Sequence, residues 1–593
     1  MRTSGTRDNL FGFPPAFDVW AAKYRLQDAD GVTEHTIEDT WQRIARSLAA
    51  PEGHDRARWE VRFMHALADF RFLPGGRIYA GAGTKRRVTL FNCFVMGPIE
   101  DSMDGIFSAL REGALTMQQG GGVGYDFSTL RPRGASAKGG GTIASGPVSF
   151  MRIWDAMCDT ILSTGARRGA MMGTLRCDHP DIEEFVAAKR EAHVLQHFNL
   201  SVLVTDAFMR AVRDGAEWPL AFPAGAADAR VFRKTDACAL WDRIVRATYD
   251  CAEPGVIFID RVRRADNLAY CESISTTNPC GEVPLPPYGA CDLGSINLTR
   301  FVREPFAAAA SLDLDGIAET AAIAVRMLDN VYEVSNFPLP RQREVARASR
   351  RLGLGITGLA DALTMLGVKY DTPRARETAA EAMRVICHAA YRASIGIAQE
   401  KGSFPLFRER AYSAAEFVAR LPQDIVADIR RYGIRNSHLT AIAPAGTISL
   451  LAGNVSSGLE PAYAAEYQRS VRLADGTLKP VSVTDYACAR YRERTGTRDA
   501  LPPAFIALAE VDPGAQLAMQ AALQTHVDNS ISKTVSVPAD YDFERFAGLY
   551  QQAYDLGLKG CTTYRPAAVR GAVLQGMAPE RAPQCCSVER EAD

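Results

Sequence analysis

Three side chains that can take part in chemistry alternate along one short segment of the sequence: Asn278, Cys280 and Glu282. In an extended segment alternate side chains point to the same side, so the spacing predicts that the amide, the thiol and the carboxylate face one reactant. Few chemistries need these three groups together. A lone cysteine is usually a small buried apolar residue, and an Asn-Pro dipeptide is a common turn. With Cys93 and Cys291 added, a purely structural interpretation of this segment is disfavoured.

A second candidate site is the run of small residues at 444–449 (Pro-Ala-Gly-Thr-Ile-Ser), which follows an apolar segment and precedes another at 450–453. A small-residue turn that opens a helix presents N–H groups and hydroxyls to an anion. Any helix capped by Ser or Thr has the same pattern, so this signal is weaker. The glycine-rich run at 120–124 is weak in isolation, and the arginine pair at 167–168 is equally compatible with a solvated surface.

The composition sets limits on the class of protein. The 593 residues are 47% apolar and 23% charged, with a formal net charge of −1, which is typical of a globular domain and gives no reason to expect binding to nucleic acid or to a membrane surface. The N-terminus has no continuous apolar h-region and no later run is long enough to span a membrane, so a cytoplasmic protein is expected. Thirteen scattered cysteines predict thiols rather than a disulfide framework, and without a Cys-x-x-Cys pair no metal site is expected.

Strands and helices alternate along most of the chain, which indicates a parallel α/β architecture. We predict a helical N-terminal domain at 1–85, with a helical pattern from Thr36 to Phe72, then a catalytic domain at 86–565 and a flexible tail at 566–593. The clearest elements of the central region are strand-like runs at 90–95, 198–204, 256–259 and 438–442 and a helix at 371–401.

The segment 278–282, Asn-Pro-Cys-Gly-Glu, together with Cys291, resembles the finger loop of ribonucleotide reductases. Its Pro-Cys-Gly form resembles the adenosylcobalamin-dependent (class II) branch of that family, and the resemblance extends from about residue 36 to about residue 566. It implies a ten-stranded α/β barrel of two five-stranded halves, with the finger loop through its centre. It also implies reduction of ribonucleotides, diphosphates being the expected form, to 2′-deoxyribonucleotides for DNA synthesis.

The resemblance also implies roles for the five residues. Cys280 would carry a thiyl radical that takes the 3′-hydrogen, Glu282 would be the base on the 3′-hydroxyl, and Asn278 would orient the sugar. Cys93 and Cys291 would supply two electrons and become a disulfide while the 2′-hydroxyl leaves as water.

A further cysteine pair is implied to restore this disulfide through a thioredoxin-like reductant. The candidates in the tail are Cys585 and Cys586, but they are adjacent, whereas the shuttle cysteines of the family are separated by a few residues. An adjacent pair would form a strained ring on oxidation.

Nucleotide-binding residues follow from the same resemblance. Those implied for the substrate are Asn92, Gly122, Pro279, Gly281, Ala445, Gly446, Thr447, Ile448 and Ser449. Those implied for a specificity effector, a deoxynucleoside triphosphate or ATP, are Asp101, Ser102, Arg131, Arg167 and Arg168. Ala445 stands where the family usually has threonine, so one hydroxyl is missing while the backbone donors remain. Because the effector site of the family lies at a subunit interface, a homodimer is implied.

The source of the radical can be inferred from what the C-terminal region contains. The oxygen-dependent branch uses adjacent tyrosines near the end of the barrel, whereas the corresponding stretch, 560–566, has one tyrosine. The glycyl-radical motif does not occur between residues 560 and 593. Adenosylcobalamin is therefore the expected cofactor. Three alternatives stay open: the large subunit of a two-subunit reductase, a catalytically inactive nucleotide-binding homologue, and a thiol-disulfide oxidoreductase.

Overall fold

The computed structural model of the chain describes residues 13–28, 31–136, 143–163, 167–190, 194–472, 478–566 and 574–576. Its N-terminal part is helical, with helices Pro14–Val19, Ile37–Ala49, Arg56–Leu67 and Gly76–Gly81. The second of these begins with a capping box, in which the Thr36 hydroxyl accepts the N–H of Asp39 and the Asp39 carboxylate accepts the N–H of Thr36. The helical pattern predicted from Thr36 onward is thereby confirmed, although a 3₁₀ turn at 50–55 divides it.

One sheet of ten strands dominates the rest of the described chain. In chain order the strands are β1 (Phe72–Pro74), β2 (Cys93–Val95), β3 (Gly122–Asp126), β4 (Met171–Arg176), β5 (Phe198–Val204), β6 (Gly255–Phe258), β7 (Ala290–Asn297), β8 (Leu352–Thr357), β9 (Thr534–Ser536) and β10 (Gly560–Tyr564). Hydrogen-bonded neighbours follow the order β8-β7-β2-β3-β4-β5-β6-β10-β9, and β1 pairs with β7. The strands predicted at 198–204 and 256–259 are present, whereas the strand predicted at 90–95 begins only at Cys93.

The sheet has two parallel halves that meet in antiparallel pairs. Strands β2 to β6 are parallel to one another, as are β7 with β8 and β9 with β10. At both junctions, β7 with β2 and β6 with β10, the pairing is antiparallel. Parallel neighbours need crossover connections, which accounts for the strand–helix alternation seen in the sequence.

Residues 438–442 join the two edges of this sheet. The prediction of a regular strand there was wrong, because the segment forms only two isolated parallel bridges, Leu354 with Thr440 and Ile442 with Ile531. Leu354 lies on β8, and Ile531 comes shortly before β9. The segment thereby bridges β8 and the residues that lead into β9, so the hydrogen bonding continues from one edge of the sheet toward the other, as the predicted barrel requires.

Helices cover the sheet, and they are Met103–Gln118, Pro147–Thr160, Ile182–Ala187, Asp206–Asp214, Ala237–Cys251, Ile259–Arg264, Leu314–Val334, Pro340–Ser349, Leu359–Met365, Pro373–Lys401, Glu409–Ser413, Gln423–Tyr432, Gly446–Leu451, Tyr486–Thr495, Pro513–Gln524 and Phe543–Asp555. The helix predicted at 371–401 is confirmed: Thr372 caps it, proline occupies its first position, and Gly402 ends it. Within the described part of the chain, none of the helices is both long and apolar enough to cross a membrane.

The smaller strand groups are Gln27–Asp28 with Gly31–Val32, Leu162–Ser163 with Arg167–Arg168, Glu217–Phe222 with Arg230–Asp236, Thr276–Thr277 with Pro284–Leu285, Val302–Arg303 with Ser311–Leu312, and Glu466–Arg472 with Leu478–Thr484 and Leu574–Gly576. The hairpin of residues 276–285, called the finger hairpin below, carries the alternating amide, thiol and carboxylate of the sequence. It contacts the sheet closely, because a Cβ atom on Gly124 of β3 would lie 1.9 Å from the carbonyl oxygen of Thr277. Only glycine at this position permits that approach.

Candidate active site

The tip of the finger hairpin is a β-turn. The Gly281 N–H donates to the Asn278 carbonyl at 3.1 Å, with Pro279 at the second position and Gly281 at a φ of +85°. Asparagine first, proline second and glycine fourth are the preferred residues of a type I turn. The extended conformation assumed for 278–282 was therefore wrong, and side-chain alternation does not explain how these groups come together.

Two contacts from different parts of the barrel hold the tip in place. The Asn199 Nδ2 of β5 donates to the Pro279 carbonyl at 2.8 Å, and the Ser530 N–H donates to the Glu282 carbonyl at 2.9 Å. Together with the contact between Gly124 and Thr277, they fix the hairpin from three sides. The sequence pattern did not indicate the role of Asn199, because an isolated asparagine in a strand has no distinctive context.

The amide, carboxylate and thiol side chains of the hairpin differ in burial and in hydrogen bonding. Asn278 is fully buried, and its Oδ1 accepts the Val283 N–H at 2.9 Å, while its Nδ2 has no hydrogen-bond partner among the described residues. Glu282 is buried, and its Oε1 accepts a hydrogen bond from the Cys93 thiol at 3.7 Å. Cys280 is partly exposed. An amide donor, a carboxylate and a thiol therefore meet at the turn.

Cys93 and Cys291 lie directly opposite each other. They are partners in the antiparallel register of β2 and β7, both are fully buried, and both are thiols. Directly paired residues on one face of an antiparallel sheet have Cβ atoms about 4.5–5.5 Å apart, close to the separation that a disulfide needs. Gly122 of β3 is the parallel partner of Cys93, and the Asn92 carbonyl accepts the Gly122 N–H at 2.9 Å.

The environment keeps both thiols protonated. Burial raises the pKa of Cys93 well above its ordinary value, and electrostatic interactions with the neighbouring Glu282, Cys291 and Cys280 raise it further. Burial likewise raises the pKa of Cys291, with Asp292 adding to the shift and Arg351 opposing it. Protonated thiols can give up hydrogen atoms or protons to a reactant but are poor nucleophiles.

A cavity of about 180 Å³ adjoins Cys280, between the finger hairpin and the wall formed by β4, β5, β6, β9 and β10. The Cys93–Cys291 pair belongs to β2 and β7, which are not among the strands that line the cavity. Small and polar residues such as Ser201, Gly255 and Thr562 line the cavity. Lys559 also lines it, with burial lowering its pKa to about 8, and nothing in the sequence pointed to this lysine.

The predicted phosphate turn opens the helix Gly446–Leu451. Ala445 adopts the left-handed conformation, with a φ of +51°, and provides no side-chain cap. The N-terminus of a helix can present its first N–H groups to an anion, and here these are the N–H groups of residues 446–448. The Ser449 hydroxyl instead forms a hydrogen bond of 2.8 Å with the Thr357 hydroxyl. The turn therefore offers backbone donors, and Pro444 at its start lines the cavity beside Cys280.

The predicted effector residues are brought together in part. The Arg131 Nε donates to the Asp101 carboxylate at 2.7 Å, and the two form an ion pair. Ser102 caps the helix Met103–Gln118 by accepting the Gly105 N–H at 3.0 Å. Arg167 and Arg168 form a short strand beside Leu162–Ser163. The shuttle candidates Cys585 and Cys586 lie outside the described residues.

Asp292, next to Cys291, is a buried acid that should weaken the fold at neutral pH. Burial raises its pKa well above the ordinary value, so the folded protein keeps a proton that the unfolded chain releases above about pH 4. We expect the unfolding free energy of the wild type to fall relative to that of Asp292→Asn, by up to about 1.4 kcal/mol per pH unit, as the pH rises above 4. Calorimetric unfolding of both proteins from pH 4 to 8 measures this, and a difference that does not change with pH would contradict it.

Comparison with known proteins identifies what the chain is similar to. A family model described as "Ribonucleotide reductase, barrel domain" matches residues 91–564, and one described as "Ribonucleotide reductase, all-alpha domain" matches residues 14–87. The Vitamin B12-dependent ribonucleoside-diphosphate reductase of Mycobacterium tuberculosis (strain CDC 1551 / Oshkosh) is 39% identical, with 97% of this chain and 82% of that protein aligned.

Two further relatives are more distant. The protein of the same name from Thermoplasma acidophilum is 34% identical, with 93% of this chain and 70% of that protein aligned. The "Ribonucleoside-diphosphate reductase subunit alpha" of Chlamydia pneumoniae is 24% identical, with 94% of this chain and 59% of that protein aligned.

Proposed function

The chain belongs to the ribonucleotide reductase family, and we infer that it is a vitamin B12-dependent enzyme that reduces ribonucleotides to 2′-deoxyribonucleotides for DNA synthesis. The observation that carries this function is the pairing of Cys93 with Cys291, beside Glu282 and the partly exposed Cys280. The names of the relatives with 39% and 34% identity support diphosphates as the substrate form. The division of the chain near residues 85 and 565 stays a prediction.

Each residue of the site has a role that its position supports. A radical at the sulfur of Cys280 removes the 3′-hydrogen of the ribose, while Glu282 accepts the proton of the 3′-hydroxyl. The buried Nδ2 of Asn278, which has no partner among the described residues, donates a hydrogen bond to the sugar.

The Cys93–Cys291 pair completes the reduction. The C2′–O bond breaks, a proton from one thiol converts the leaving hydroxyl into water, and the hydrogen of the other thiol takes its place at C2′. The two sulfurs thereby supply two electrons and become a disulfide. The hydrogen at C3′ returns from Cys280. The high pKa of both thiols supports this role because the pair holds its protons until the substrate takes them.

The cofactor we propose is adenosylcobalamin, the adenosyl form of vitamin B12. Cys280 borders the cavity of about 180 Å³, which is much smaller than the whole cofactor and would take only the reactive end of it. When bound, the cofactor supplies a carbon-centred radical by cleavage of its carbon–cobalt bond. Ser201 and Thr562 line the cavity and would contact that end of the cofactor. Cys280 borders this cavity and is near enough to Cys93 to raise the pKa of that thiol, which supports transfer of a hydrogen atom at this place.

A ribonucleotide also needs a site for its phosphates. We propose the N–H groups of Gly446, Thr447 and Ile448 for this role, with Ala445 and Ser449 shaping the turn. The remaining substrate contacts that we propose are Asn92, Gly122, Pro279 and Gly281, which adjoin Cys93 or form the turn of the finger hairpin.

We also propose a homodimer with an effector site at its interface. Met103 and Phe107 lie one turn apart on the helix Met103–Gln118 and are 59% and 46% exposed, next to the proposed effector residues Asp101 and Ser102. Adjoining exposed apolar side chains can form part of an interface, and this pair supports placing it here. Arg131, Arg167 and Arg168 complete the proposed effector set.

A charge at the apolar pair tests the dimer. Phe107→Asp should raise the dissociation constant of the dimer at least about tenfold, because it buries an unpaired carboxylate at the interface. Light scattering over a dilution series measures it, with Val61→Asp as the matched control, since Val61 is 70% exposed on the helix Arg56–Leu67. A monomeric wild type, or equal dissociation of both variants, would disprove this interface.

The proposed reductant is thioredoxin-like, acting through Cys585 and Cys586. In the double variant Cys585→Ser, Cys586→Ser, the turnover rate with dithiothreitol should stay at the wild-type value, whereas the rate with thioredoxin should fall at least about tenfold. The reason is that only a small dithiol can reach the buried pair directly. Initial rates with each reductant measure this. Equal loss with both reductants would remove the shuttle role.

The proposed function is tested with the purified chain alone, without oxygen and with dithiothreitol. Cytidine diphosphate and cytidine triphosphate are each incubated with adenosylcobalamin, with hydroxocobalamin, or without cobalamin. Deoxynucleotide formed only with adenosylcobalamin supports the proposal, and the ratio of the two products gives the preferred phosphate form. Nucleotide binding without product in all three would favour a two-subunit enzyme or an inactive homologue. Disulfide exchange without nucleotide binding would favour a thiol-disulfide oxidoreductase.

A further inference from the structure

We infer that Lys559 is a positioning residue for Glu282, the proposed base, and that it acts through one peptide group of the backbone. The inference rests on the proposed function, since it concerns the base of the same reaction. The peptide group is the one that joins Asn529 to Ser530. Lys559 immediately precedes β10, and its carbonyl accepts the Phe258 N–H of β6 at 3.0 Å. Its backbone is therefore fixed where β6 and β10 pair.

The side chain of Lys559 holds two successive carbonyls of the backbone. It is buried, and its ammonium group donates hydrogen bonds to the carbonyl of Asp528 at 2.8 Å and to the carbonyl of Asn529. Hydrogen bonds from a charged donor are about twice as strong as those between neutral groups. A buried ammonium group with two carbonyl acceptors therefore fixes the directions in which these carbonyls point.

The second of these carbonyls belongs to the peptide group that contacts the finger hairpin. The Ser530 N–H lies in the same planar unit as the Asn529 carbonyl, and it donates to the Glu282 carbonyl at 2.9 Å. The peptide bond is trans, so its C=O and its N–H point in opposite directions. Lys559 on one side and Glu282 on the other are thus joined through a single rigid group.

The chain on both sides of this peptide group is held by other bonds. The Asn529 N–H donates to the Thr440 carbonyl at 3.1 Å, and the Ser530 carbonyl accepts the Ile442 N–H at 3.2 Å. A peptide group between two fixed neighbours can still rotate about the line that joins its two α-carbons. Loss of the Lys559 donor would leave a buried carbonyl uncompensated, and rotation toward another donor would turn the Ser530 N–H away from the hairpin.

The position of Glu282 is critical because a general base has to lie about 2.6–3.2 Å from the proton that it removes. Glu282 is buried, and its Oε1 accepts the Cys93 thiol at 3.7 Å, so the carboxylate is enclosed beside the buried thiol pair. A displacement of about 1 Å can lower a rate about 100-fold. Loss of Lys559 should therefore slow the chemical step, whereas the proposed phosphate contacts of the substrate belong to other residues.

The ammonium group of Lys559 is cationic at neutral pH. Burial lowers its pKa to about 8, while the negative charges of Asp528 and Asp266 favour the cation. The charge of Glu416 also favours the cation, and that of Arg420 opposes it. The charged form predominates at pH 7, so activities compared at that pH report on the cation.

Removal of the ammonium group at pH 7 tests this role. In Lys559→Met, which keeps the length of the side chain, kcat for cytidine diphosphate should fall about 100-fold, while KM and the calorimetric Kd change less than about threefold. The radical signal in electron paramagnetic resonance with adenosylcobalamin should persist, because Cys280 is unchanged. Lys401→Met is the matched control and should have wild-type constants, because Lys401 also donates two hydrogen bonds, to Glu52 and Asn330.

Two further comparisons distinguish positioning of the base from a general loss of structure. Lys559→Ala leaves space beside the cavity, and added ethylammonium should raise its kcat at least about tenfold, whereas ethanol should not, because only the cation replaces the charged donor. In a Glu282→Gln background the base is absent. There Lys559→Met should lower kcat further by less than about twofold, because the effects of residues that act as a unit are not additive.

The possible results separate this inference from the proposed function. If wild-type enzyme forms deoxycytidine diphosphate and Lys559→Met forms it at the same rate, the inference is overturned while the function stands. The inference is likewise overturned if the two losses multiply in the double variant, if Lys559→Met loses the radical signal, or if ethylammonium does not restore folded Lys559→Ala. Lys559→Met gives the answer even if Lys559→Ala fails to fold. If wild-type enzyme forms no product, the proposed function is overturned.

Discussion

Cys280→Ala should lose at least about 1,000-fold in product formation while it binds cytidine diphosphate within about twofold of the wild-type affinity. The reason is that Cys280 is the partly exposed thiol at the tip of the finger hairpin, where it borders the cavity and lies near Cys93. Alanine preserves the turn, because the turn depends on Asn278, Pro279 and Gly281. The assay is anaerobic formation of deoxycytidine diphosphate with adenosylcobalamin and dithiothreitol.

A matched control separates chemistry from a general effect of losing a thiol. Cys271→Ala removes an exposed cysteine outside the hairpin and should keep the wild-type rate. Electron paramagnetic resonance adds an independent observation, because the wild type should give a radical signal with the cofactor and Cys280→Ala should not. Product formation by Cys280→Ala above one tenth of the wild-type rate would show that another residue initiates the reaction.

Cys291→Ser should lose at least about 100-fold in multiple-turnover reduction, because serine cannot supply an electron or form a disulfide with Cys93. The register of β2 and β7 places the two sulfurs on directly paired residues, so no other described cysteine is in the same relation to Cys93. The measurement is a count of thiols after a single turnover without reductant, made on unfolded protein by alkylation and mass spectrometry. The wild type should lose two thiols, both from the Cys93–Cys291 pair, and the variant should lose none.

The control for this variant is another buried thiol. Cys387, on the helix Pro373–Lys401, is also buried with a raised pKa, and Cys387→Ala should keep both the rate and the loss of two thiols. A disulfide that formed between Cys280 and Cys93 in the wild type would contradict the assignment of Cys291. Normal turnover by Cys291→Ser would remove the pair from the mechanism altogether.

Much of the local structure followed from the sequence, since it depends on neighbouring residues. The helix at 371–401 has its cap, its proline and its terminal glycine within a few positions of its ends, and the structure has all three. The strand at 198–204 also appears as predicted. The strand predicted at 438–442 does not, because its hydrogen bonds depend on Leu354 and Ile531, which are distant in the chain.

In the candidate site, too, the sequence predicts which residues are present, whereas the fold determines how they are arranged. The sequence identified Cys280, Glu282 and Asn278 as a group, but the geometry assumed for them was wrong, because Pro279 and Gly281 favour a turn. Alternation is a property of extended backbone, and a hairpin tip is not extended. The three side chains are brought to one place by the folding of the hairpin and by contacts with Asn199 and Ser530.

By itself the sequence determined which chemical groups are present, the helices that carry their own caps, and the resemblance to one family. Only the tertiary structure decided that Cys93 and Cys291 are direct partners and that β3 needs glycine at 124 for the hairpin to fit. The physical reason is how far apart in the chain the interacting residues lie. Caps and turns form between residues a few positions apart, whereas strand register and buried pairs join residues that are distant in the chain and are set by the packing of the whole barrel.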